Sequence, residues 1–123
     1  MKKIKAFTLI ELLVVILIIS LIISFTLPKY IDYKKTAYDL QAKNDLKNIA
    51  TAIEANYIEK EEYLSCSNQN CEAISGVGKL SKHTQIDITA NDFGFIGISK
   101  SIKGTGTEFK WDSENGGFIL DNF

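Results

Sequence analysis

The apolar positions change their period along the chain. Residues 7–27 are apolar at almost every position, with Glu11 as the one charged residue among them. A helix apolar on all sides belongs in a membrane or a large core. From Tyr38 onward a stripe appears, Tyr38, Ala42, Leu46, Ile49, Ile53 and Tyr57, while Lys43, Asp45, Lys47 and Glu54 lie off it. Steps of four and three along one face predict an amphipathic helix. From about Gln85 the period becomes two. Ile86 and Ile88 alternate with Asp87 and Thr89; Phe93, Phe95, Ile96 and Ile98 form a second apolar run. Phe109 and Trp111 flank Lys110, and Phe118 to Leu120 makes a last short strand. Such runs, separated by Lys103-Gly104-Thr105-Gly106-Thr107 and Ser113-Glu114-Asn115-Gly116-Gly117, predict an antiparallel sheet with glycine-rich turns. The expected fold is α+β: a long N-terminal helix, half membrane-spanning and half amphipathic, packed against a small C-terminal antiparallel β-sheet through the Leu46, Ile49, Ile53 stripe.

As a helix, residues 7–27 reach about 32 Å, against a hydrocarbon core of about 30 Å. Continued to Glu62, the helix would be about 84 Å long. Lys2, Lys3 and Lys5 precede the apolar run, whereas Lys29, Lys34 and Lys35 after it are mixed with Asp32, which favours a cytoplasmic N-terminus. A removable secretory signal has a shorter apolar region and a small-residue cleavage motif, and Ser24-Phe25-Thr26-Leu27-Pro28 matches that poorly. Glu11 is then anomalous, because a carboxylate at mid-membrane depth costs roughly 2.5–3.5 kcal/mol. Pro28, the only proline, ends the apolar segment, where a kink is expected because proline lacks the amide donor and clashes with the carbonyl four residues back. The hydroxyls of Ser20, Ser24 and Thr26 compete for backbone carbonyls in the same stretch.

The basic leader followed by Phe7-Thr8-Leu9-Ile10-Glu11-Leu12-Leu13-Val14-Val15 resembles the N-terminus of type IV pilin precursors and of the related pseudopilins of type II secretion. Pro28, Tyr30 and Tyr33 sit where many type IV pilins have a proline and two tyrosines, and Asn44 to Ala52 looks like the helix of major pilins. The specific likeness ends near Tyr63. Ala6 stands where the family usually has glycine before the cut, and Ser20 where a glycine is often found within the span. The resemblance implies cleavage by a prepilin peptidase between Ala6 and Phe7, N-methylation of Phe7, and assembly through Glu11 and a helix that loosens around Pro28. It implies a leader at 1–6, a transmembrane and assembly helix at 7–28, and a globular domain at 29–123. The implied partners are copies of the chain in a homopolymer filament, the peptidase, and an assembly platform driven by an ATPase. The precursor would sit in the inner membrane before the subunit enters an extracellular pilus serving adhesion, motility or DNA uptake.

Elementary electrostatics agrees with that role for Glu11. Cleavage before Phe7 creates an ammonium, and in a lateral array of helices the amine of one copy can approach Glu11 of the next. Two unit charges about 4 Å apart are worth about 4 kcal/mol at an effective dielectric near 20, enough to offset the cost of the buried carboxylate. A type II secretion pseudopilin would use the same principle in a short periplasmic fibre, whereas a monomeric membrane-tethered binding protein would keep residues 1–6 and not self-associate.

Composition narrows the rest. Of 123 residues, about 95 remain outside the apolar segment, enough for one small domain. The formal net charge is -1 and becomes more negative when the leader lysines are lost, so no basic surface points to nucleic acid as a primary partner. Cys66 and Cys71, the only cysteines, follow the helix in a polar stretch; in an exported chain they are expected to form a disulfide that pins a local loop. With one histidine, His83, and no ligand spacing around it, no metal or cofactor is expected. Asp87, Asn91, Asp92, Asp112 and Glu114 are read as turn residues in preference to calcium ligands. No nucleophile, base and orienting group fall into a recognisable pattern, and an enzyme is not expected.

Overall fold

A computed structural model describes residues 6–119. The leader residues Lys2, Lys3 and Lys5, and Leu120 of the last expected strand, lie outside them. The chain divides into two units, Met1–Tyr33 and Lys34–Phe123. One helix, α1 (Leu9–Lys60), supplies the described helical residues of the first unit and the first layer of the second.

In the second unit α1 is followed by β1 (Cys66–Ser67), a 3-10 helix (Asn68–Ala73), β2 (Thr84–Ala90), β3 (Phe95–Ser101), β4 (Glu108–Asp112) and β5 (Gly117–Phe118). The strands form an antiparallel meander in the order β1-β2-β3-β4-β5. The α+β fold expected from the change of period is therefore the one observed. Ser113 to Gly116 turn β4 into β5, with Gly116 at φ 85°, a conformation open to glycine at little cost. The Asp112 carboxylate accepts the Glu114 amide and the Asn115 side-chain amide; Asn91 similarly accepts the amides of Phe93 and Gly94.

The core lies between α1 and one sheet face. Leu46, Ile49 and Ile53 are fully buried against Ile86, Ile88 and Phe95, and each such side chain contributes about 1.5–3 kcal/mol of apolar transfer. The expected stripe is thus the packing face. The strand expectation needs correction at β3. Phe93 lies at the tip of the β2–β3 turn and is 83% exposed, and Ile96 is 45% exposed on the outer face. The inner face of β3 is Phe95, Gly97, Ser99 and Ser101. Small residues stand there because the helix comes close: a Cβ on Gly97 would lie 2.6 Å from Ile88 Cδ1 and 2.7 Å from Leu46 Cδ1. Next along the strand, the Ser99 hydroxyl donates to the Ala42 carbonyl at 2.9 Å. Neighbours on a strand face opposite sides, so with Phe95 inward the isoleucines of the run turn outward and Gly97 and Ser99 hold the inner positions where the helix comes close.

Asp45 departs from expectation as well. It is 8% exposed, and its Oδ2 accepts the Ser81 amide at 3.2 Å. Asp39, 7% exposed, accepts the amide of Thr105 at 3.1 Å and the Thr105 hydroxyl; Asn56 donates to the carbonyls of Ala52 and Ser75. Three polar side chains on one helix therefore tether two irregular segments, residues 74–83 and 102–107. Burying a carboxylate without donors is costly, so these contacts decide where the loops lie. Asp39→Ala should destabilise the domain by about 1–3 kcal/mol, since the Thr105 donors lose their acceptor; chemical denaturation of the purified protein measures this.

Tyr63, half-buried, stacks on Tyr57 with centroids 4.2 Å apart and meets Phe95 at 5.7 Å. Burial raises its hydroxyl pKa, with Glu54, Tyr57 and Glu114 adding to the effect. The folded state then holds this proton more tightly than the unfolded chain. Its contribution to stability is complete below the ordinary phenol value of 10.0 and is lost as pH rises through the folded value. Tyr63→Phe should accordingly weaken the dependence of stability on pH above that value, as read from unfolding midpoints across an alkaline series.

Candidate functional site

The N-terminal end of α1 is built by a reciprocal hydrogen-bond pair. Ala6, Phe7 and Thr8 are non-helical and the helix starts at Leu9, so Thr8 is the N-cap and Glu11 the third helical residue. The Glu11 amide donates to the Thr8 hydroxyl at 3.3 Å, and the Thr8 amide donates to Glu11 Oε2 at 3.2 Å. This is a capping box, which satisfies two of the donors that every helix N-terminus leaves unpaired, with the carboxylate at the positive end of the helix dipole. Sequence reasoning singled out Glu11 for its charge and missed this second role, although the Thr8-Leu9-Ile10-Glu11 spacing is its signature.

The cap occupies little of the carboxylate's capacity. An ionised carboxylate offers about four acceptor sites, and Thr8 takes one. Phe7, the residue before the N-cap, is 90% exposed. The expected cleavage position, Ala6 and Phe7, therefore lies in accessible non-helical backbone, and the Phe7 nitrogen is one residue from the amide that Glu11 already binds.

Along the apolar segment every large side chain from Leu9 to Leu27 is exposed in the single chain. Its hydroxyls are not left unpaired: Ser20 donates to the Ile16 carbonyl at 2.7 Å, Ser24 to Leu21 at 2.7 Å, and Thr26 to Ile22 at 2.9 Å. Polar side chains are thus satisfied within the helix, as a lipid environment requires. The helix runs on through Pro28. Proline brings no amide to the Ser24 carbonyl, so the Ser24 and Thr26 hydroxyl bonds fall just before the turn where the ladder is weakest.

Cys66 and Cys71 form the expected disulfide, with Cα atoms 5.1 Å apart. Its setting differs from the expected loop. Cys66 belongs to a strand of the sheet and Cys71 is fully buried in the core. A two-residue strand recruited by tertiary pairing leaves no periodicity to read.

Residues 1–27 match a family model described as the prokaryotic N-terminal methylation motif. Over most of the chain, two fimbrial proteins of Pseudomonas aeruginosa are each 28% identical across 121 residues, covering 89% of this chain and 76% of theirs. The type IV major pilin protein PilA of Myxococcus xanthus is 32% identical over 65 residues, covering 53% of this chain and 30% of that protein. The resemblance drawn from the first residues therefore holds: the N-terminus carries the prokaryotic N-terminal methylation motif, and the chain is similar to fimbrial and type IV pilin proteins. The relatives' names are those of fimbrial and pilin proteins, in keeping with a structural subunit.

Proposed function

We propose that this protein is the structural subunit of a type IV pilus. In this reading a prepilin peptidase cuts between Ala6 and Phe7, and Phe7 becomes the N-methylated first residue. The precursor is held in the inner membrane by residues 7–28 with its N-terminus in the cytoplasm. An assembly platform and its ATPase then transfer it into an extracellular filament. Residues 29–123 form the part outside the membrane. Polymerisation brings Glu11 of one copy to the Phe7 amine of another, while the apolar faces of the helices cover one another and Pro28 marks where the helix can adjust.

The observation that carries this reading is the combination at one helix end. The exposed apolar segment of the helix begins with an accessible stretch of chain, and the single carboxylate of that segment has spare acceptor capacity one turn from it. Apolar burial favours lateral packing without specifying register, whereas the charge pair supplies a register. Mass spectrometry of the protein isolated from its native membrane or filament tests the processing step. The expected product begins at Phe7 and carries a methyl group on its amine. A chain that retains Met1 to Ala6 would contradict the reading and favour a membrane-tethered protein that does not assemble.

A further inference from the structure

The edge of the sheet at β2 is covered by a short segment that the disulfide ties down. Amides alternate along a strand, so those of Ile86, Ile88 and Ala90 leave β2 on the side away from β3. The Ile86 amide donates to Asn68 Oδ1 at 3.0 Å, Ile88 lies opposite Cys66 in the ladder, and the Ala90 amide donates to the Ser65 hydroxyl at 2.9 Å. Residues 65–68 thus occupy an edge that a full strand would otherwise fill, using two side-chain oxygens where a longer strand would supply backbone carbonyls. Asn68 holds its position with φ 48°, a left-handed conformation that asparagine tolerates better than most residues. Two residues of strand are too few to hold an edge by themselves. What ties them down is Cys66, bonded to Cys71, which is fully buried among Ile74, Val77 and the helix.

We infer that β2 is a masked strand-pairing edge for a second copy of this chain, and that the Cys66–Cys71 disulfide keeps it masked. An unpaired edge of alternating β-formers such as Thr84-Gln85-Ile86-Asp87-Ile88-Thr89-Ala90 is a template for another strand. Side-chain chemistry selects the partner and the register. In an antiparallel pair of two β2 strands centred on Asp87, the two carboxylates would face each other. Centred on Ile88, the pair sets Ile88 against Ile88, Ile86 against Ala90 and Asp87 against Thr89, joining apolar to apolar on the core side and separating the charges. In that register Ile88 of the second copy takes the place of Cys66. Reduction by an added dithiol moves two electrons and two protons to the bond, leaving two cysteine thiols and the cyclic disulfide of the reductant. The segment is then tethered only by its short ladder and the two hydrogen bonds to Asn68 and Ser65.

The full-length chain in detergent micelles provides the test, with association measured as the excess over the oxidised protein under the same conditions. On reduction, or in Cys66→Ser/Cys71→Ser, the Ile86 and Ala90 amides of dilute protein should exchange about tenfold faster or more, while β3 amides stay protected and report an intact sheet. At higher concentration a dimer should form and protection should return. Thr89→Asp, at an exposed position, places a carboxylate opposite Asp87 of the second copy and should keep the reduced protein from dimerising. Unchanged protection of Ile86 and Ala90 after reduction, protection lost throughout β3, no excess association at high concentration, or association that Thr89→Asp leaves intact would each overturn the inference.

Discussion

Glu11→Gln is expected to enter the membrane at least as well as the wild type and to lose filament yield by orders of magnitude. Glutamine is the informative substitution because it keeps a side-chain carbonyl that can accept the Thr8 amide, so the capping box survives while the charge does not. Alanine removes the charge and the acceptor of the Thr8 amide, while the backbone amide of residue 11 still donates to the Thr8 hydroxyl, so it loses one hydrogen bond of the box, worth about 0.5–1.5 kcal/mol. The pair of variants therefore separates the roles that one carboxylate combines. If the charge drives assembly, both should reduce filament yield by orders of magnitude, since about 4 kcal/mol per contact corresponds to roughly a thousandfold in an association constant. If the cap were the function, the glutamine variant would assemble normally and only the alanine variant would fail. Insertion should be slightly easier in both variants, because the cost of a carboxylate at membrane depth is removed. Fractionating membranes and sheared filaments, with immunodetection of the subunit in each, reads out both effects.

The second large effect is expected in the core of the globular domain. Leu46→Ala should lower its stability by about 2–5 kcal/mol, as other buried leucine truncations do. Leu46 is fully buried and its Cδ1 lies over Gly97, where helix and sheet pack closely. Gly97→Ala should itself cost about 1–3 kcal/mol, because the added methyl group meets Leu46 and Ile88 at once. The two substitutions should not add. With Leu46 truncated, the methyl group on Gly97 has one fewer neighbour to displace, and the double variant should recover about 0.5–3 kcal/mol relative to the sum of the single ones. Denaturation followed by the fluorescence of Trp111, the only tryptophan and a residue of β4, reports the domain separately from the apolar helix. Strict additivity would mean that Leu46 and Gly97 do not share that contact.

The long elements of this fold can be read in the chain because their periods persist. The apolar run from Phe7 to Leu27 and the stripe from Tyr38 to Tyr57 extend over many turns, and α1, Leu9–Lys60, begins and ends close to the bounds they imply. The misreadings fall where a short segment answers to a distant one. Asp45 looks like a surface acid on the helical wheel, and only the Ser81 amide, far along the chain, makes its burial tolerable. Phe93, Phe95, Ile96 and Ile98 read as one apolar run, but neighbours on a strand face opposite sides, so with Phe95 inward Ile96 and Ile98 turn outward and Gly97 takes the inner position against Leu46. Ser65 to Asn68 carry no strand signal and become the edge of the sheet through β2 and a disulfide. At the site itself the charge of Glu11 is legible from its surroundings. Its cap with Thr8 is a local signal that the membrane anomaly obscures, because the anomaly alone already accounts for the residue.

The claim on which the rest depends is that Glu11 of one subunit meets the Phe7 amine of another. Solid-state NMR on filaments grown from an equal mixture of 15N-labelled and 13C-labelled subunits isolates that contact, because a nitrogen–carbon coupling then arises only between copies. A coupling between the Phe7 amine nitrogen and the Glu11 carboxyl carbon, at a separation of about 4 Å, is the predicted result. Well-ordered filaments in which that coupling is absent, while other contacts between copies are seen, would contradict it.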